Sequence, residues 1–189
     1  MSQGQRHEHA MPHCRTASEK ANSPRMQLYA SLAPSHLPVP KFTALIHTSG
    51  VQGLAQTLRS ARVASETLVV HPSDGAVERL CMRYGARDTI DVPGVTPGAY
   101  ALDAFHDWLL LLRPGEELSD DLFNALAKWR RQRHDESAGY LIRSGKDFSP
   151  QFRLVNRGKV QWVGDQPPIP AHAEVFPGLI ALGSSLRAA

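Results

Sequence analysis

"DWLLLLRPGEELSDDL", residues 107–122, decides the fold. Trp108 to Leu112 are apolar without alternation. A strand buried on both faces reads this way, and such strands lie at the centre of parallel sheets. Pro114-Gly115 then breaks the run. Ser119 stands where a helix N-cap is expected, with Asp120 and Asp121 in a first turn that favours acids. Leu122, Ala125, Leu126 and Trp129 recur at helical spacing and define a buried stripe.

The segments before this stretch repeat the pattern. "FTALIH" (42–47) is a short apolar run of strand length. Val51, Leu54, Ala55 and Leu58 then fall on one face of a helix. "ETLVVH" (66–71) is a second strand, and Asp74 follows as an N-cap. Val77, Leu80, Cys81 and Tyr84 mark the next helical face, which Gly85 terminates. "RDTIDV" (87–92) is a third strand, "PGVTPG" (93–98) a loop and "AYALDAFH" (99–106) a short helix. Strands alternating with helices predict a parallel sheet with helices on both faces. "AGYLIRSG" (138–145), "SPQFRLVNRG" (149–158) and "KVQWVG" (159–164) alternate more, and predict antiparallel strands completing the sheet. The proline-rich ending from Gln166 shows no clear element.

Residues 1–40 differ. "MSQGQRHEHAMPHCRTASEKANSPR" has no sustained period and too little apolar surface to offset its ordering entropy. The expectation is a disordered tail before a domain at 41–189, with Met11 and Met26 as alternative starts. His7, His9, His13 and Cys14 match no structured zinc spacing. Two cysteines, Cys14 and Cys81, make no disulfide framework, and Cys81 falls on a helix's apolar face. That suits a reducing cytoplasm. No apolar run is long enough to cross a membrane as a helix. The net charge of +3 is too weak to indicate nucleic acid, and the basic run 128–134 reads as a helix end.

In open α/β sheets, ligands bind beyond the carboxyl ends of the strands. "HTSG", "HPSDG", "VPGVTPG" and "RPGEE" meet at that edge. No Gly-x-Gly-x-x-Gly follows the first strand, no Walker-type loop exists, and no Gly-x-Ser-x-Gly elbow is present.

"FTALIHTSGVQGLAQTLRSARVASETLVVHPSD" (42–74), "VERLCMRYGAR" (77–87) and "ALDAFHDWLLLLRPGEELSDDL" (101–122) together resemble the nucleotide-sugar-binding half of family-two glycosyltransferases. The type is the bacterial group that acts in lipopolysaccharide core and other envelope glycan assembly. The resemblance spans roughly residues 42 to 126. It rests on element order, on "YGAR", on "DW" before the apolar strand and on "E-x-L-S-x-x-L" after it. It implies a glycosyltransferase-A-like, Rossmann-like α/β fold: a mostly parallel sheet flanked by helices, with C-terminal antiparallel strands. The implied activity is sugar transfer from a nucleotide-sugar donor.

Departures from the family fall at the chemistry. There, an Asp-x-Asp at the end of the central strand holds a divalent cation that bridges the donor diphosphate. Here the matching positions are Arg113 and Gly115, with Glu116 matching the acid that follows. Acids in the first two loops hold the nucleobase in the family. Here the first loop has none, His71 ends the second strand, and Asp74 corresponds to a loop aspartate after a one-residue deletion. No catalytic base is assigned: Asp135, Glu136 and Asp147 occupy the corresponding region without a matching motif.

Two outcomes follow for Arg113. A guanidinium can grip a diphosphate without metal, or it pairs with Glu116 or Glu117 at a dead site. The expected substrate-binding residues are His47, Thr48, His71, Asp74, Arg113 and Glu116, with no cofactor and no metal ligands. His47 and His71, ending neighbouring strands, either approach each other as ligands with Asp74 or Glu116, or are held by backbone hydrogen bonds. The expected function is a family-two-like protein impaired or inactive in metal-dependent catalysis. The alternative is a non-catalytic scaffold or nucleotide-binding partner of a true glycosyltransferase.

Overall fold

A computed structural model describes residues 40–132, 137–145, 147–162, 164 and 166–183. The expected tail, Pro40 apart, lies outside these residues. Eight strands form one sheet: β1 (Phe42–His47), β2 (Glu66–His71), β3 (Arg87–Ile90), β4 (Trp108–Leu112), β5 (Glu116–Leu118), β6 (Gly139–Ser144), β7 (Ser149–Asn156) and β8 (Glu174–Leu182). The helices are α1 (Leu54–Ser60), α2 (Gly75–Tyr84), the single turn α3 (Pro97–Tyr100) and α4 (Asp120–Trp129). Short 3-10 turns follow α1 at Ala61–Val63 and α3 at Ala101–Asp103.

The strand order is β3-β2-β1-β4-β7-β6-β8-β5. β3, β2, β1 and β4 run parallel. β7 is antiparallel to β4 and to β6, β8 is parallel to β6, and β5 is antiparallel to β8. The sheet is therefore mixed, not mostly parallel as expected. The cause is connection length: β6 and β7 are joined by a tight turn, and a short link permits only antiparallel pairing.

Right-handed crossovers explain where the helices lie. The links β1-α1-β2 and β2-α2-β3 step in one direction, which puts both helices on one face. The link from β3 back to β4 steps the other way and carries α3 to the opposite face. The larger core accordingly joins Ala44, Ile46, Val69 and Leu110 to Leu54 and Leu58 of α1, Val77 and Cys81 of α2, and Leu122, Leu126 and Trp129 of α4. Each Leu, Ile or Val among them is worth about 1.5–3 kcal/mol on full burial. The smaller core joins Leu45, Leu68, Val70 and Leu109 to Tyr100, Ala101 and Ala104.

Several boundaries differ from expectation. Val51 is exposed and lies in the loop, because α1 starts only at Leu54, after Gly53 turns the chain at φ 72°. Lys159 to Trp162 form no strand. Trp162 instead lies on Gly98, where a Cβ would come within 2.1 Å of its ring, and packs beside the smaller core. The last strand comes from the proline-rich ending. The register of β8 with β6 shifts across Pro177-Gly178, and Gly178 (φ 88°) lets β8 press on α4: a Cβ there would sit 2.4 Å from the Leu122 nitrogen. Asp74 and Ser119 cap their helices as read, accepting from the Ala76 and Leu122 amides.

Glu66 ties the amino-terminal edge of the sheet together. It accepts from the Thr43 hydroxyl (2.5 Å), the Phe105 amide (2.8 Å) and Arg87 (2.8 and 3.0 Å). Burial works to raise its pKa, but these hydrogen bonds and the Arg87 charge outweigh it and hold the carboxyl below its ordinary 4.5. A depressed carboxyl contributes stability that is full above its unfolded value and is lost as pH falls through the folded one. The urea midpoint should therefore fall as pH drops below 4.5. Glu66→Gln should flatten that acid limb while lowering the midpoint at neutral pH. An acid limb unchanged in this variant would contradict the assignment.

Candidate functional site

The winding reverses between β1 and β4, and the loops leaving these two strands frame the switch point where open α/β sheets bind ligands. The two loops are fastened to each other. The Gly115 amide donates to the Gly53 carbonyl (3.2 Å), and the Thr57 hydroxyl donates to the Arg113 carbonyl (3.2 Å). Gly183 donates to the Gly115 carbonyl (2.8 Å). Gly115 sits at φ 85°, a conformation that disfavours an aspartate.

Glu116 is buried, and both its oxygens are engaged. Oε2 accepts from the Arg113 amide (2.7 Å), and Oε1 accepts from Nη2 of Arg153 (2.8 Å). Arg153, on β7, also donates to the Leu111 carbonyl, Gln151 Oε1 and Ser144 Oγ. Both side chains are almost fully enclosed, at 6% and 4% exposure. Burial pushes the Arg153 guanidinium down from its ordinary value, and the nearby Arg113 charge adds to this, while the Glu116 carboxylate opposes both.

Arg113 itself is exposed, and its guanidinium enters no ion pair or hydrogen bond among the described residues. Glu116 has thus gone to Arg153 rather than to Arg113. These residues do not fit a divalent cation of the Asp-x-Asp type. One position is a cation, one lacks a side chain, and the only carboxylate has both oxygens turned inward, whereas such ions need several open oxygens. Among the described residues, no group of three or more His, Cys, Asp or Glu side chains is placed to hold a metal ion.

His47 and His71 do not meet. His47 pairs with Val70 in register, so the strand alternation turns His71 to the opposite face. His71 is fully buried, between the Pro72 carbonyl (2.6 Å) and Asp88 (3.2 Å). His47 faces the smaller core, its side chain 44% exposed and its Nε2 2.9 Å from Asp91 Oδ2. The Tyr100 hydroxyl donates to Asp91 Oδ1 (3.0 Å) and accepts from the Val92 amide. The hydrogen bond from His47 holds the Asp91 carboxyl below its ordinary value; burial opposes it, and the Tyr100 hydrogen bond and the His47 charge add to the lowering.

Thr48 is buried and closes its own turn with Gly50. Asp74 serves the α2 cap. Of the possible bases, Asp135 and Glu136 lie outside the described residues, and Asp147 is exposed in the β6–β7 turn. The ends of β1 and β4 at the switch point therefore carry His47, Thr48, Arg113 and Glu116, with His71 on the far face.

Sequence reading missed Arg153, Asp91 and Tyr100. Arg153 had a signal: it lies between Phe152 and Leu154 in a strand whose Phe152–Val155 stretch is buried throughout. Asp91 directly follows β3, but its partner is two strands away. Compared with family models, the chain matches none, and no curated protein matches it. Among the described residues, no helix is long and apolar enough to cross a membrane.

Proposed function

We propose that this chain is a nucleotide-sugar-binding protein of the family-two glycosyltransferase type, with a glycosyltransferase-A-like fold, in which metal-dependent sugar transfer is lost. Arg113 takes the place of the ion and grips the donor diphosphate directly. The observation that carries this reading is the Arg113 guanidinium at the β1/β4 switch point, exposed and without a partner among the described residues, while Glu116 is paired with Arg153. The residues quoted for the resemblance run from β1 into α4 and frame this same edge. A guanidinium can make two parallel hydrogen bonds to phosphate oxygens, which an isolated carboxylate would repel. Within envelope glycan assembly, such a protein holds a donor or supports an active transferase without performing the transfer.

Titration calorimetry with uridine, guanosine and thymidine diphosphate sugars tests this. Binding of one of them is expected, with an affinity that manganese leaves unchanged. Arg113→Ala should weaken it by about 1.5–3 kcal/mol, the worth of a hydrogen bond to a charged group. Tightening by manganese would overturn the metal-free site. No binding to any of them would overturn the nucleotide reading, and leave a scaffold for a true transferase as the function to test.

A further inference from the structure

We propose that His47 is a second, proton-dependent contact for the diphosphate, with Asp91 as its positioning residue. This deepens the reading of Arg113 above and rests on it. β1 and β4 pair in register, with Ile46 beside Leu112. Continuing that register by one residue sets Arg113 next to His47. Leu45 and Leu111 both meet the smaller core, so by alternation the two side chains that follow them by two positions share its face.

The histidine is braced as an oriented ring. Nε2 meets Asp91, and Asp91 is fixed in turn by the Tyr100 hydroxyl. No bond from Nδ1 to a described residue is present, and the ring is open to solvent. The ionisable groups on its side are Asp91, just after β3, and Tyr100, at the end of α3, with Arg113 following β4 in the extended register. β2 presents Val70, and His71 points away.

A phosphate oxygen and the Asp91 carboxylate are both acceptors. The ring satisfies both only as the imidazolium, which carries two N–H donors. Diphosphate binding therefore draws a proton onto His47, Nε2–H staying on Asp91 and Nδ1–H turning to the phosphate. Histidine is the side chain suited to change charge near neutrality.

Calorimetry of the whole chain and of His47→Gln with inorganic pyrophosphate, at pH 8 in buffers of different ionisation enthalpy, reads this as the difference between the two, because pyrophosphate itself exchanges protons near this pH. The observed enthalpy should depend on the buffer, with more protons taken up by the unchanged chain. Affinity should fall as pH rises from 6 to 8. His47→Gln should lose this excess uptake and weaken binding at pH 6 about tenfold. Asp91→Asn should reduce the uptake while the protein stays folded by circular dichroism. Pyrophosphate binding with the same uptake in His47→Gln would overturn the role of His47 and leave the Arg113 clamp standing. Pyrophosphate binding with the excess uptake, but no binding of any nucleotide sugar, would keep this inference and remove the donor reading. No pyrophosphate binding would overturn the inference.

Discussion

Replacing Arg153 by leucine is expected to destabilise the protein by about 3–5 kcal/mol, the usual loss when one partner of a buried ion pair is removed. Total stabilities are about 5–15 kcal/mol, so this is a large share. The cost comes from what remains. Glu116 would stay enclosed with Oε1 unpaired, and the Leu111 carbonyl would lose a donor. Arg153→Lys should recover only part of the loss, because one ammonium cannot serve Glu116, Gln151 and the Leu111 carbonyl in the same fork. Replacing both partners with apolar residues should recover more. It would still leave the Arg113 amide without the acceptor it has in Glu116 Oε2. Urea unfolding monitored by tryptophan fluorescence measures all three. A midpoint for Arg153→Leu equal to that of the unchanged chain would mean that Glu116 is not held in this pair.

The same pair shows why half of the site could not be read from the sequence. The parallel half was legible because each element carried its own period and cap: "WLLLL" for β4, Asp74 and Ser119 for the helices, Gly85 for the end of α2. The switch point followed from element order. Glu116 was visible as the acid after the central strand, whereas Arg153 went unread inside the strand 149–156. Their pairing, 37 residues apart, depends on β7 lying next to β4, and no local signal states that neighbour relation. The link between His47 and Asp91 is longer still, at 44 residues, and passes over β2. The strand register then separates His47 from His71, whose approach chain order alone had left open. β8 stayed hidden because Pro177-Gly178 breaks its period, while the partner that makes this break useful, the start of α4, lies far earlier in the chain.

Gly53→Ala is the second change with a large expected effect, about 2–4 kcal/mol of stability together with loss of ligand binding. Two costs combine. Gly53 sits at φ 72°, where a Cβ is disfavoured, and that Cβ would come 2.6 Å from the Gly115 nitrogen and 2.8 Å from its Cα. These are backbone atoms, so no side-chain rotation relieves the contact. The two loops must part, which breaks the Gly115 to Gly53 hydrogen bond. Arg113, two residues before Gly115, would move with its loop away from His47. Gly50→Ala is the matched control. It lies in the same loop, has no atom within 4 Å of its added Cβ and needs no left-handed backbone. It should leave the urea midpoint and pyrophosphate affinity close to those of the unchanged chain. A destabilising Gly53→Ala that still bound pyrophosphate with full affinity would show that the fastening of the loops supports the fold without setting the position of Arg113. Equal losses from Gly50→Ala would show instead that the loop as a whole is intolerant, and that the close approach of Gly53 to Gly115 is not what sets the site.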